Sequence, residues 1–222
     1  MNKILVVAVH PDDETIGCGG TLLKLKNSGS EIHWLIATDV DESIGYDRAF
    51  VQSRSVEIEK VGKAYGFSGI HRLKLPSARV ETVTVGEIVR RMSDVIKTVD
   101  PDTLFLPFRG DVHSDHRIVF DAAFSCTKSF RFPSIRRLYM METLSETEFA
   151  PAIPGHTFVP NSFVDISEMF EKKLEIMSLY RSELAEHPFP RSVTNIKALA
   201  TYRGATSGYG FAESFMLLKE YW

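Results

Sequence analysis

The stretch VVAVHPDDETIGCGG, Val6 to Gly20, decides how this chain is read. An apolar run from Ile4 to Val9 stops abruptly at His10-Pro11-Asp12-Asp13-Glu14, and a glycine-rich segment follows. An unalternating apolar run of this kind suits a strand covered on both faces, as in a parallel sheet. A histidine and three acids at its end place titratable groups where open α/β sheets gather ligands, beyond the carboxyl ends of the strands.

Outward from that stretch, strand-like and helix-like runs alternate. TLLKLKNSG (21–29) reads as a helix, EIHWLIAT (31–38) as a strand, and about 47–65 as a long amphipathic helix. IHRLKL (70–75) is the next strand, followed by a helix over about 83–99 and the apolar strand TLFLPF (103–108). A helix over about 115–129, strands at 136–143 and 157–166, and a helix capped by Ser167 complete the pattern. This βαβα order predicts a single Rossmann-like α/β domain over 1–222, with a mostly parallel sheet flanked by helices. Segment 144–160, with three prolines and one glycine, reads as a surface loop.

Composition narrows the function classes. Hydrophobic residues at 44% and charged residues at 25% are an ordinary globular mixture, and the formal charge of −3 offers no basic excess for a phosphate backbone, which argues against nucleic acid. Cys18 and Cys126, the two cysteines, lie far apart and read as reduced thiols, which predicts a reducing, cytoplasmic setting. The apolar run 4–9 is too short for a secretory leader, and no segment approaches the roughly 20 apolar residues of a membrane span.

A second acid and histidine cluster, RGDVHSDHR (109–117), follows TLFLPF. If the two strands are neighbours, His10, Asp12, Asp13, His113, Asp115 and His116 converge on one pocket. Two histidines and one aspartate suit a catalytic zinc, which takes three protein ligands and leaves a position for water. A carboxylate beside the metal then serves as base, and another orients a histidine. So many acids and histidines at equivalent strand ends would be costly to bury without a metal or partners.

AVHPDDE with its glycine-rich helix start, and DVHSDHR about a hundred residues later, resemble the two signature motifs of the PIG-L/LmbE family of zinc-dependent N-acetylglucosaminyl deacetylases. SRSVEIEKVGKAYGF (53–67) and YRGATSGYGFAESF (202–215) resemble two further family segments, so the likeness covers most of the chain. The resemblance implies that His10, Asp13 and His116 hold Zn²⁺ and that Asp12 is the general base. It implies also that His113 stabilises the oxyanion or protonates the leaving amine, with Asp115 orienting its ring. The substrate implied is a small N-acetylated amino sugar or its conjugate, which loses acetate; Fe²⁺ is compatible with the same ligands.

Arg54 resembles a family arginine near the sugar, although pairing with Glu57 on the same helix face accounts for it equally. Arg109 is a candidate clamp for a substrate hydroxyl or phosphate. Glu14 reads as structural and His187 as a loop histidine, while His33, His71 and His156 receive no role. Residues 17–20, GCGG, lack phosphate-loop spacing and read as close-approach glycines, with Cys18 a small buried residue. Two other classes stay open: a metal-dependent phosphoesterase, which would call for two metals about 4 Å apart, and a carbohydrate-binding protein with structural zinc. The loops expected to set specificity are 39–50, 144–160 and 185–210, and the motifs leave the oligomeric state open.

Overall fold

The structure, a computed structural model, describes residues 2–222 as a single α/β domain. Five strands, β1 (Lys3–Ala8), β2 (Glu31–Asp39), β3 (Gly69–Pro76), β4 (Thr103–Leu106) and β5 (Arg137–Met141), pair in parallel. β6 (Ser162–Asp165) and β7 (Ala212–Glu220) extend the sheet antiparallel, in the order β3-β2-β1-β4-β5-β7-β6. The chain therefore reverses its direction of winding between β1 and β4. That crevice is the expected ligand position in such a sheet.

Both faces of the sheet are covered, which explains why β1 is apolar throughout. Ile4, Val6 and Ala8 face a core shared with α1 (Asp13–Asn27), α2 (Arg48–Tyr65), α5 (Phe170–Met177) and α6 (Val193–Ser207). Leu5, Val7 and Val9 face the opposite core, with α3 (Val85–Val99) and α4 (Ser114–Ser125). Each of these six β1-segment residues is at most 1% exposed, so neither face tolerates a polar residue.

The differences from the sequence reading are physical. Helix α1 begins at Asp13 rather than near 21, because its glycines are packing positions: a Cβ on Gly17 would lie 2.9 Å from Met141 Cβ, and one on Gly20 2.7 Å from Ile166 Cβ. Tertiary contact overrides the poor helix propensity of glycine here. Ser167 does not cap α5; its hydroxyl donates to Asp165 and accepts from the Phe211 amide, and the helix starts at Phe170. Residues 193–207, within the expected loop 185–210, form helix α6, capped by Ser192 through the Asn195 amide and closed by Gly208 at φ 82°. Among the described residues, no helix is long and apolar enough to cross a membrane.

Candidate active site

β1 and β4 are adjacent, with Ile4 opposite Thr103, so the two acid and histidine clusters meet at their carboxyl ends. His10, Asp13 and His116 each place a donor atom within 4.8 Å of the others. Local chemistry sets each one. The amides of Val9 and His10 donate to Asp13 Oδ2 at 2.9 and 2.8 Å, which folds the turn back upon its own strand. His116, on the first turn of α4, is wholly buried; its Nδ1 lies 2.8 Å from Asp111 Oδ2 and its Nε2 3.4 Å from Asp13 Oδ2. Burial opposes charge on the ring, but Asp13 and Asp111 together outweigh it and push His116 up to about 9.

This donor set fits a metal ion. His116 Nε2 is buried and has no hydrogen-bond partner among the described residues, yet it faces a carboxylate and a second imidazole. Two histidines and one carboxylate meeting around such an orphan nitrogen are the donor chemistry of a catalytic zinc site, and of an iron(II) site. Asp111 is the partner that orients His116, and Thr147 donates to its other oxygen at 2.7 Å. Such outer partners are typically worth about 10–100-fold in metal affinity. Asp111→Asn is expected to weaken zinc binding by about that factor in chelator competition, and unchanged affinity would count against its orienting role.

Asp12 stands at the N-cap of α1 but does not cap it: its side chain makes no capping bond and its backbone adopts φ 141°. Few residues other than glycine adopt that conformation, and the Asp12 side chain lines the cavity. Burial above all, and then the charges of Asp13 and Glu183, raise its pKa well above the ordinary carboxylate range. Beneath it Glu14 is fully buried, accepting from the Asp12 amide at 3.2 Å, the Thr15 hydroxyl at 2.6 Å and the Tyr180 hydroxyl at 2.8 Å. Burial, opposed by those hydroxyls, brings Glu14 up to about 7.

His113 is the N-cap of α4, and the Asp115 amide donates to its Nδ1 at 3.1 Å. Because that amide can only donate, Nδ1 is the acceptor and the neutral ring carries its proton on Nε2. Burial, and then the nearby His10, push its pKa down, which favours the neutral form. The Asp115 side chain, expected to orient His113, makes no hydrogen bond to that ring among the described residues. The Asp115 carboxylate instead accepts from the amides of Ala78 at 2.8 Å and Val80 at 3.3 Å and lies 3.3 Å from His10 Nε2. A helix N-cap meets the backbone of the residue two ahead, so the amide does the orienting.

A cavity of about 240 Å³ opens on His10, Asp12, Asp13 and His113; Thr38, Asp39, Tyr46, Phe50, Glu146 and Arg191 are among its other walls. Arg54 also lines it, only 5% exposed and held by Pro11 O, Ser182 Oγ and Glu183, with Glu57 at 3.5 Å. Arg109 does not reach it. Its side chain is 65% exposed and paired with Asp121 at 2.8 Å, because Asp121 lies one helical stretch further along α4 and points back at the loop. His187 lies on a separate surface hollow with Leu184 and Val193.

Sequence reasoning missed Asp111, Glu146, Glu183 and Arg191. Asp111 sits inside the quoted second motif, and its five-residue separation from His116 was the available signal. Arg191, 3.8 Å from Asp12 and 2.9 Å from Glu183, comes from a proline-rich segment with no local signature.

Residues 5–127 match the PIG-L family model, described as GlcNAc-PI de-N-acetylase. The chain is 30% identical to the diacetylchitobiose deacetylase of Thermococcus kodakarensis, over 96% of this chain and 82% of that one. Among solved structures, a conserved protein of Thermus thermophilus superposes with a TM-score of 0.78 at 24% identity, covering 100% of this chain and 97% of that one. N,N'-diacetylchitobiose deacetylase from Pyrococcus horikoshii gives 0.77 at 22% identity, covering 98% and 84%. At those identities the superpositions speak for the fold. The sequence matches carry more: a chain that aligns with the family model across both acid and histidine clusters, and with a curated relative along nearly its whole length, belongs to the PIG-L family of GlcNAc-PI de-N-acetylases.

Proposed function

We propose that this protein is a zinc-dependent hydrolase that removes the N-acetyl group from an N-acetylated amino sugar or its conjugate. The observation that carries the reading is the division of labour at one cavity. His10, Asp13 and His116 converge as a ligand set, while Asp12 and His113 remain beside them with side chains free of that set. Iron(II) is the metal alternative for the same donors.

When bound, zinc would lower the pKa of a water molecule to about 7 and polarise the acetyl carbonyl. Asp12 takes the proton from the attacking water. Its raised pKa lets it keep that proton and return it to the leaving amine, so one carboxyl serves as base and then as acid. His113 presents Nε2–H to the oxygen that gains negative charge as the carbonyl carbon becomes tetrahedral. Acetate and the free amine are the products.

A bridged two-metal phosphoesterase is disfavoured by the donors themselves. The second group that could hold a cation, His10, His113 and Asp115, shares His10 with the first, and a neutral imidazole offers one free lone pair. The activity of the relative from Thermococcus kodakarensis, diacetylchitobiose deacetylase, supports the amide reading.

The test is acetate release from a panel of N-acetylated amino sugars before and after chelation. Activity is expected to disappear on metal removal and to return with Zn²⁺. Phosphate release from sugar phosphates, in place of acetate, would overturn the assignment.

A further inference from the structure

We propose that His33 and His71 form a second metal site, which holds one divalent transition-metal ion of the zinc and copper kind and fastens the edge strand β3 to β2. The site is separate from the catalytic cavity. His33 and His71 lie near the starts of β2 and β3, whereas the cavity is walled by Thr38 and Asp39 at the end of β2.

β3 is the outermost strand beyond β2, with His33 opposite Gly69 and Leu35 opposite His71. Residues two apart on a strand share a face, so the two histidines are diagonal neighbours on one face of the sheet. Their ring centres lie 5.3 Å apart, and His33 Nδ1 is 3.1 Å from His71 Nε2. Metal–nitrogen bonds of about 2.0–2.1 Å would bridge that gap with an angle of roughly 100° at the ion, between the tetragonal and tetrahedral values.

The donors are prepared as well as spaced. Glu31 Oε1 lies 2.9 Å from His33 Nε2, and this hydrogen bond above all holds Glu31 below the usual carboxylate range. A carboxylate only accepts, so His33 Nε2 carries the ring proton and Nδ1 keeps its lone pair. An imidazole backed in this way by a carboxylate is the usual arrangement of a metal-bound histidine. Burial, and then His33, lower the pKa of His71, which favours the neutral form that binds metals. Without metal, His71 Nε2–H donates to His33 Nδ1. On binding, that proton passes to His71 Nδ1, Nε2 presents its lone pair to the ion, and no net proton is released.

A hydrogen bond between two histidines would account for the spacing alone, but not for Gly69. A Cβ there would lie 2.7 Å from His33 Nδ1 and 3.2 Å from His71 Nε2, so the space beside both nitrogens is open only because this residue has no side chain. Gly69 is not among the glycines at positive φ, so close approach and not backbone geometry calls for it. Both rings are half-buried and within reach of an ion from solvent. Among the described residues no third histidine, cysteine or carboxylate joins the pair, which leaves the remaining positions on the ion to water.

The experiment equilibrates the full chain with rising Zn²⁺, counts bound metal per chain and records thermal melts on the same samples. The parent is expected to take up a weaker equivalent beyond the one held in the catalytic cavity. His33→Gln and His71→Gln should each lose the weaker equivalent and keep the tighter one. Glu31→Gln should weaken it by about 10–100-fold, and Gly69→Ala, which retains both histidines, should abolish it. Filling the weaker site should raise the melting temperature of the parent and not of the histidine variants. If a glutamine variant fails to fold, which its melt reveals, Glu31→Gln and Gly69→Ala decide. Equal metal content in the parent and both histidine variants, or a weaker equivalent unmoved by both Glu31→Gln and Gly69→Ala, would overturn the site. Loss of the tighter equivalent alone would count against catalytic zinc and leave this site standing.

Discussion

Replacing Asp12 by Asn is expected to lower kcat for acetate release by about 10²–10⁴-fold, the range for losing a positioned general base, while zinc content and fold are retained. Three features of the site make this a clean substitution. The Asp12 side chain caps nothing, so no helix bond is lost. Asn has the same branching and nearly the same size as Asp, so the backbone strain at φ 141° is carried equally by the variant and the parent. Removing the charge also relieves repulsion from Asp13 and Glu183, whose proximity contributes to the raised pKa of Asp12. The variant should therefore unfold at the same temperature or a higher one, the usual relation between a strained functional group and stability. Steady-state kinetics with metal analysis on the same samples gives the answer. A kcat within tenfold of the parent, with zinc still bound, would remove Asp12 from the role of base and leave the other free acid of the cavity, Glu146, as the candidate.

Much of this arrangement was legible in the chain because the decisive groups are local. His10 to Asp13 sit at one strand end and His113 to His116 at another, and only the adjacency of β1 and β4 had to be supplied by the fold. What escaped was set by contacts distant in sequence or by backbone rather than side chain. Asp115 illustrates the second case: its residue type suggested a carboxylate acting on His113, whereas its amide does so. Glu183 and Arg191 illustrate the first, reaching Arg54 and Asp12 from more than a hundred residues away. The start of α1 was hidden because three glycines and three acids in succession carry no helical periodicity. Their meaning lies in Met141, Ile166 and Tyr65, which fill the space a side chain would need.

The early start of α1 brings a second large effect, on stability. Helix α1 is broken at Cys18, which has φ −148° inside an otherwise helical run. A break frees backbone groups that a continuous helix would pair, here the Ile16 carbonyl and the amides of Gly20 and Thr21. All three find side-chain partners: Lys173 Nζ donates to Ile16 O at 2.8 Å, and the Glu213 carboxylate accepts from Gly20 and Thr21 at 2.9 and 2.7 Å. Lys173 and Glu213 then close the circuit with an ion pair at 2.7 Å, both side chains 5% exposed. Lys173→Met keeps the length and apolar stem of the side chain but leaves Glu213 buried without its cation and Ile16 O without its donor. Removing one partner of a buried pair costs about 3–5 kcal/mol, which for a chain of this size lowers the melting temperature by about 6–20 °C. The pair also fixes the segment that begins with Asp13, so the same variant should bind zinc more weakly than the parent. Thermal unfolding with and without zinc reads both effects. In a double-mutant cycle with Glu213→Gln, the two changes together should cost less than their sum, since each single variant strands the other partner. Strict additivity, or a loss below about 1 kcal/mol for Lys173→Met, the scale of an exposed pair, would mean that water and not this ion pair satisfies the break, and that the orientation of Asp13 is held by Val9 and His10 alone.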